Sequence, residues 1–509
     1  MVSWLVTLGI TAFAFVIRLI HLDRPKNLVF DETYYPKDAW TMLHLGYEGS
    51  WPKFQPGSPK LKINDAIAQG MTDSWSPDPS FIVHPPLGKW LIAVGEHLFG
   101  MNSFGWRFSS LVAGTLLVLV TIRLARRLSR STLVGAIAGV LLSLDGLAFT
   151  MSRIGLLDIF QALFLVSAVA CVAADRDWFR NKLAAHLERK GLRDLDGAFG
   201  PALWFRPWRL LAGIMFGLAC GVKWNSIFVL ASMGILSVVW DLGARRLAGA
   251  GGRSWASLLR DGIPAFIHLV VVAVPTYLAC WTGWLTSHGG WSRGWGASHQ
   301  DVWTVKVFGA PLASLFHYHK EMYDFHTGTG MMQDTTHVYE ANPWGWLVMY
   351  RPIGIDAVNG IKPGTDGCQA VNDTCLRVIS GAGTPVLWWL ALAALLAGIV
   401  AWIAGRDWRF GLPIIAAMST YLPWFKYADR PLFFFYAICI IPFTVIILAL
   451  WLGRIIGPAD SPRRKRGAWI AGGAVALVAA NFAFIYPILT DGLLTRKAWL
   501  LRMWFRSWI

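Results

Sequence analysis

The chain is built from long apolar segments separated by short polar ones. The apolar segments are close to the 20 residues that a helix needs to cross a bilayer, and they lack the short alternating pattern of barrel strands. They predict eleven membrane-spanning helices, at 3–20, 105–124, 131–149, 155–174, 208–223, 226–241, 262–284, 384–404, 409–425, 431–453 and 467–488. The first segment has no small-residue cleavage site and is taken as a spanning helix. The pattern therefore predicts an all-α polytopic membrane protein, with residues 1–509 forming one integral-membrane domain.

Lysine and arginine are concentrated in alternate connecting loops. These basic loops are 123–130, 175–209, 244–246 and 461–467. Cytoplasmic loops carry an excess of positive charge, so the N-terminus is predicted to lie inside and, with an odd number of spans, the C-terminus outside. The basic tail at 495–509 is predicted to be an interfacial amphipathic helix.

Composition agrees with this class of protein. The chain is 55% hydrophobic and 15% charged, with a mean hydropathy of +0.47. Its net charge of +16 raises the question of a nucleic-acid partner. The basic residues lie mostly in short loops between apolar segments, which is a topology signal, so no nucleic-acid partner is expected.

Two long loops are predicted on the outer side, at 21–104 and 285–383. The first contains two stretches, 39–46 and 85–100, that are expected to form short helices on the membrane surface. The second is expected to act as a lid or to bind an acceptor. Cys368 and Cys375 both lie in this second loop, and a disulfide between them is plausible if the loop is extracytoplasmic.

Acidic and basic residues from distant parts of the chain are predicted to meet at the outer surface. They are Asp31, Glu32, His84, Lys89, Arg107, Arg153, Asp158, Lys223, Lys426 and Arg430. Any one of these cations could simply extend its charged end group to the membrane–water interface. Asp31 could be a helix N-cap. Their common depth instead favours a site for an anionic headgroup with a carboxylate beside it.

Other classes of site fit the sequence less well. His317, His319 and His326 form a cluster of histidines in the second outer loop. His317 and His319 are two residues apart and so do not share a helical face, and there is no HExxH motif, so no metal site is expected. No Walker loop is present, and no internal repeat supports a transporter. A lipid transporter or flippase remains an alternative, but it predicts charges at the bilayer midplane.

A series of motifs resembles the protein O-mannosyltransferases. They are FDETYYPKDA (30–39), HPPLGKWLIAVG (84–95), GWRFSSLVAGTL (105–116), SRIGLLDIF (152–160), GLACGVKWNSIF (217–228), ANPWGWLVMYRP (341–352) and YADRPLFFFYAICIIPF (427–443). The second outer loop is too short for the β-trefoil module of eukaryotic members, so the chain is more similar to the bacterial, actinobacterial-type form.

The resemblance implies a GT-C glycosyltransferase fold and a polyprenyl-phosphate-mannose donor. It implies that Asp31 is the catalytic base, with Glu32 in support, for metal-independent, inverting transfer to Ser or Thr hydroxyls of secreted or membrane proteins. We expect the donor phosphate to be bound by Arg107, Lys223 and Arg430. Of the remaining residues, His84 and Lys89 are expected to line the site, with Asp158 orienting Arg153.

The same resemblance implies a plasma-membrane enzyme that acts at the extracytoplasmic face and requires no cofactor. Modification during export would bring it close to the Sec translocon. The nearest alternative is a transferase of the same fold that uses another polyprenyl-phosphate-sugar and modifies a glycolipid, such as an aminoarabinose transferase acting on lipid A.

Overall fold

The computed structural model describes residues 1–327 and 336–509, and this part of the chain is mostly helical. Seven helical segments there are long and apolar enough to cross a membrane: Val2–Leu19, Ser103–Ser129, Asp158–Lys190, Ser226–Leu247, Gly251–Cys280, Pro385–Ile403 and Arg464–Leu489. Shorter apolar helices are Thr132–Ser143, Pro207–Val222 and Ile441–Ile456. The polytopic helical fold is confirmed, while the number of eleven spans is not, because several of the predicted windows hold helices that are too short by this measure.

The α-helices are numbered in chain order. They are α1 (Val2–Leu19), α2 (Tyr35–Leu45), α3 (Ile63–Ala68), α4 (Leu87–Phe99), α5 (Ser103–Ser129), α6 (Thr132–Ser143), α7 (Gly146–Met151), α8 (Asp158–Lys190), α9 (Pro207–Val222), α10 (Ser226–Leu247), α11 (Ser257–Arg260), α12 (Gly262–Phe266), α13 (Ala273–Cys280), α14 (Thr282–Thr286), α15 (Trp295–Ser298), α16 (Trp303–Thr327), α17 (Pro385–Ile403), α18 (Trp408–Tyr421), α19 (Ile441–Ile456), α20 (Arg464–Leu489) and α21 (Arg496–Leu500). Helices predicted in the first outer loop are present as α2 and α4.

Helix α5 is central to the packing. Its start is fixed by Asn102, whose side chain accepts hydrogen bonds from the backbone N–H groups of Phe104 and Gly105. This N-cap satisfies donors that have no partner within the helix. The helix packs against α1, α4, α6 and α8. Residues near its N-terminus are therefore held close to the outer segments that precede α2 and α4.

Helix α8 is longer than the predicted span at 155–174. It continues to Lys190 and ends at Gly191, which has a left-handed backbone. Beyond the apolar part, Asp175 accepts hydrogen bonds from Arg206 and Arg209, and Asp241 of α10 accepts from the same two arginines. These arginines are buried, so part of the charge that predicted a cytoplasmic loop belongs to a structural ion-pair cluster.

Two small antiparallel sheets were not predicted. Strands β1 (Gly49–Ser50) and β2 (Ser76–Pro79) pair in the first outer loop. Strands β3 (Ile353–Ile361), β4 (Cys375–Gly381) and β5 (Leu494–Thr495) form the second sheet, in the order β3-β4-β5. A disulfide joins Cys368 to Cys375, with the Cα atoms 5.7 Å apart.

The C-terminal tail is not the amphipathic helix that its sequence suggested. It forms β5, the five-residue α21 and a short 3-10 helix at Arg506–Trp508. Arg351 donates hydrogen bonds to the carbonyl oxygens of Ser507 and Ile509. The indole N–H of Trp508 donates to the carbonyl of Met349. The tail therefore packs on the second outer loop, because that loop supplies partners for its backbone and aromatic groups.

Candidate active site

Asp31 and Glu32 lie in a 3-10 helix at Phe30–Thr33, between α1 and α2. Glu32 is fully buried. One of its carboxylate oxygens accepts hydrogen bonds from Arg107 and the backbone N–H of Gly155, both at 2.8 Å. The other accepts from Arg107 at 2.8 Å and from the backbone N–H of Val29 at 3.0 Å. A carboxylate with both oxygens engaged in this way is poorly placed to take a proton from a substrate, so the support that Glu32 gives to Asp31 is positional: it fixes the backbone beside that residue.

Arg107, the leading candidate for binding the donor phosphate, has a guanidinium that is already engaged by protein groups. Its side chain is fully buried. Besides Glu32 it donates to the carbonyl oxygens of Leu22, Pro25 and Asn27. These carbonyls belong to the segment that links α1 to the Asp31 helix. The guanidinium is therefore used to satisfy buried backbone groups and to fix that segment.

Arg153 has a similar structural role. It donates hydrogen bonds to the carbonyl oxygens of Arg18, Ile20 and His21. These carbonyls lie at the C-terminal end of α1, where a helix leaves carbonyl groups without partners. The predicted pairing of Arg153 with Asp158 is wrong, because Asp158 forms its ion pair with Lys223 instead.

The side chain of Asp31 takes no part in the hydrogen bonds of Glu32 and Arg107. It is half-buried and accepts no hydrogen bond from any group in the described residues. Burial raises the pKa of Asp31 to about 6, the nearby charge of Lys223 lowers it, and that of Asp158 raises it further. Asp31 is thus the available carboxylate of the pair, with a cation and a second carboxylate beside it.

Lys223 and Asp158 form a buried ion pair next to Asp31. Lys223 follows directly on α9 and Asp158 is the first residue of α8. The ammonium of Lys223 lies 2.8 Å from each Asp158 carboxylate oxygen and 5.0 Å from the ring centre of Tyr436. Two helix ends and the segment before α19 therefore place one fixed cation at the site.

A second cationic group is contributed by Arg430. It donates a 2.9 Å hydrogen bond to Nδ1 of His326, whose Nε2 donates to the carbonyl of Val83 at 2.7 Å. The rings of His84 and His326 stack with centres 5.3 Å apart. The pKa of His84 is held well below its usual value by burial and then by Lys223, His326, Lys89 and Arg430. His84 is therefore neutral and surrounded by positive charge, as suits a site for an anion.

Lys89, which was predicted to line the site, is a buried structural residue. Its ammonium lies 3.1 Å from the carboxylate of Asp38 and 3.0 Å from that of Glu48. Its charge is neutralised by two acids, so it has little capacity left for a phosphate. It affects the site only through space, by lowering the pKa of His84.

Three residues that the sequence did not assign to the site lie in it. His326 was visible only as one of several histidines in the second outer loop, and its partner Arg430 is 104 positions away. Tyr35 is buried, and burial followed by the charges of Asp31 and Asp158 raises its pKa. Tyr436 lies beneath the Lys223 ammonium. No local spacing signals these contacts, although each residue lies in or next to a motif or histidine group that was noticed.

Known proteins resemble this chain over most of its length. Residues 80–285 match the family model described as dolichyl-phosphate-mannose-protein mannosyltransferase. The chain is 36% identical to the polyprenol-phosphate-mannose–protein mannosyltransferase of Mycolicibacterium smegmatis (strain MKD8), over 99% of this chain and 93% of that protein. It is 33% identical to the protein of that name from Corynebacterium glutamicum, over 98% of this chain and 92% of that protein.

A solved structure has the same fold. The protein O-mannosyltransferase Pmt1-Pmt2 complex of S. cerevisiae, bound to the sugar donor, superposes with a TM-score of 0.73 and 14% identity, over 100% of this chain and 93% of that chain. This likeness confirms the predicted GT-C fold. The match to the bacterial relatives extends over nearly their entire length, and from it we conclude that the chain belongs to the polyprenol-phosphate-mannose–protein mannosyltransferase family.

Proposed function

We propose that this protein transfers mannose from polyprenyl-phosphate-mannose to Ser or Thr hydroxyls of exported polypeptides, at the outer ends of its helices. The observation that carries the proposal is the unengaged carboxylate of Asp31 beside the Lys223–Asp158 pair. A base next to fixed cations is the combination that glycosyl transfer from a lipid phosphate requires.

Asp31 is proposed to act as the general base. The acceptor hydroxyl oxygen attacks the anomeric carbon and gives its proton to the Asp31 carboxylate. The bond between that carbon and the phosphate oxygen breaks, and the phosphate leaves with the electron pair. A single displacement inverts the anomeric centre, so a β-linked donor gives an α-mannoside. A pKa of about 6 leaves Asp31 ionised at neutral pH and still basic enough to accept the proton.

Lys223 and Arg430 are proposed to stabilise the leaving phosphate. Negative charge grows on that group as the bond breaks, and cations held in place beforehand stabilise it without reorganisation. Tyr436 and Asp158 hold Lys223, while His326 holds Arg430. We therefore propose transfer without a metal ion, which predicts that activity persists in excess EDTA.

The test is a transfer assay with purified protein, radiolabelled polyprenyl-phosphate-mannose and a Ser/Thr/Pro-rich peptide. We expect label in the peptide and a loss of roughly 100-fold or more in kcat for Asp31→Asn, the range for removing a general base. Asp73→Asn is the matched control, since Asp73 is an exposed acid in the same outer loop. Label found only in glycolipid would favour the aminoarabinose-transferase type of activity and contradict the proposal.

Placement in the plasma membrane, with the N-terminus inside and the site outside, is part of this proposal and rests on the distribution of basic loops. Contact with the Sec translocon stays a prediction from the family resemblance. Both are separable from the transfer chemistry, which can be measured in detergent.

A further inference from the structure

A cavity of about 490 Å³ opens at the end of the helical bundle opposite to Asp31. Helix α5 carries Arg107 near its outer end and Ser129, which lines the cavity, at its other end. At 1.5 Å per residue the two positions are roughly 33 Å apart along the helix, about the thickness of the hydrocarbon core. The cavity therefore lies at the opposite membrane surface and is separate from the transfer site.

Three arginines face this cavity: Arg409, Arg454 and Arg464. Asp407 binds two of them, with its carboxylate 2.5 Å from Arg409 and in contact with Arg454. The Arg454 guanidinium also lies 4.6 Å from the ring centre of Phe410 and 5.0 Å from that of Trp451. These contacts hold the side chains in place before any ligand arrives, which lowers the entropic cost of binding.

The fixed arginines retain unused hydrogen-bond donors. Arg464 donates one 2.8 Å bond to the carbonyl of Gly457 and has no acidic partner in the described part of the chain. Since Asp407 is the acid that pairs with the other two arginines, these four side chains carry a net charge of +2. Guanidinium groups with free N–H donors are suited to bidentate hydrogen bonds with phosphate oxygens.

Part of the remaining wall is apolar. Leu133 and Val134 of α6 and Leu450 and Ile456 of α19 line the cavity beside the arginines. An inorganic anion would leave this wall without a partner, whereas a phosphate attached to an acyl chain would use both surfaces. The arrangement therefore favours an amphiphile over a free ion.

We propose that this cavity binds the phosphate headgroup of an anionic phospholipid from the adjoining leaflet. The phosphate would receive hydrogen bonds from Arg454, Arg464 and Arg409, and the start of the acyl chain would lie against Leu133 and Leu450. This site is independent of the proposed mannosyl transfer, because none of its residues contacts the groups around Asp31.

The test measures binding of phosphatidylglycerol to the full-length protein in detergent by native mass spectrometry. We expect Arg464→Gln to weaken binding about tenfold, equal to about 1.4 kcal/mol. The matched control is Arg463→Gln, which removes the same charge from an exposed neighbour that does not line the cavity. A second variant, Arg464→Lys, keeps the positive charge but loses the paired N–H donors of the guanidinium. It should weaken binding by a smaller factor than Arg464→Gln does.

Three results would overturn the proposal. One is an equal loss of phosphatidylglycerol binding in Arg463→Gln and Arg464→Gln, which would indicate attraction of the lipid to the whole basic surface. Another is displacement of the lipid by inorganic phosphate at equal concentration, which would indicate a site for free anions. The last is unchanged lipid binding in both Arg464→Gln and Arg454→Gln, each checked as folded by its thermal unfolding.

Discussion

Two neighbouring acids of this protein have opposite environments. Glu32 is enclosed by Arg107 and backbone N–H groups, while Asp31 lies near the charge of Lys223. Side chains next to each other in the chain point in different directions, so one can be structural while the other is free. The buried acid fixes the backbone from which the free acid projects, and this is how the fold sets the direction of the base.

The activity of this protein should depend on pH through the ionisation of Asp31. The proposed base must be ionised, so kcat/KM should rise tenfold per pH unit below about 6 and level off above it, following the pKa of Asp31. Lys223→Met removes the charge that lowers this pKa, so the rise should move to higher pH. The measurement is the pH profile of both proteins, and a profile that is flat from pH 5 to 8 would contradict the assignment.

Replacing Glu32 should lower the stability of the folded protein more than it lowers kcat. Glu32→Gln leaves the buried Arg107 without a counter-charge, and breaking a buried pair costs about 3–5 kcal/mol. Asp31→Asn, at a half-buried site without hydrogen bonds from the described residues, should leave the unfolding temperature nearly unchanged. Thermal unfolding of both variants in one detergent measures the contrast. If Glu32→Gln unfolded like the unmodified protein and lost as much kcat as Asp31→Asn, Glu32 would be catalytic after all.

Helix α16 connects the second outer loop to the first. Tyr318 accepts a hydrogen bond from the backbone N–H of Ile82, and His326 donates to the carbonyl of Val83. His326 also accepts from Arg430. One helix thus holds both the segment that precedes His84 and Arg430, one of the two cations proposed to bind the phosphate.

This arrangement predicts that His326 positions Arg430. His326→Ala should raise KM for the donor about tenfold with a smaller change in kcat, because Arg430 loses its acceptor. His326→Gln can accept from Arg430 and donate to Val83, so it should restore most of the affinity. His317→Ala is the control, since His317 lies on the same helix and stacks on Trp295. Equal effects of His317→Ala and His326→Ala would indicate only a general disturbance of α16.

The disulfide and the C-terminal tail stabilise the outer sheet together. Cys375 of β4 lies opposite Thr495 of β5 in the sheet, and the backbone N–H of Arg496 donates a hydrogen bond to the carbonyl of Thr374. Cys368 and Cys375 are seven positions apart, and closing so short a loop contributes roughly 2.5 kcal/mol. Replacing both by serine should expose the tail to limited proteolysis after Lys497 or Arg502, while donor KM stays unchanged. Protection equal to that of the unmodified protein would contradict this.

The orientation of the protein in the membrane can be tested by cysteine labelling. We introduce one cysteine at Ala297 in the second outer loop or at Ala459 in the loop before α20, both exposed. A membrane-impermeant maleimide added to intact cells should label Ala297→Cys, and Ala459→Cys only after permeabilisation. The unmodified protein, whose free cysteines are mostly buried, gives the background. The reverse pattern would invert the predicted topology.

Much of this protein is determined by its sequence alone. The apolar segments give the helices and the class of fold, because burying backbone groups in lipid permits few alternatives. The motifs give the family and point to Asp31 and Lys223. What they could not give is which of the charged residues keep hydrogen-bond donors for a substrate after pairing within the protein. Arg107, Lys89 and Arg153 differ in no local pattern from Lys223 and Arg430.

Only the tertiary structure decides that question. Arg107 is engaged by Glu32 and three carbonyls, Lys89 by two acids and Arg153 by the end of α1. Each partner is remote in the chain, and a buried charge is stable only where such partners meet it. The same holds for the tail, because its strand β5 pairs with β4 from more than 100 residues away. Sequence fixes which groups are present, and packing fixes which of them are left to meet a substrate.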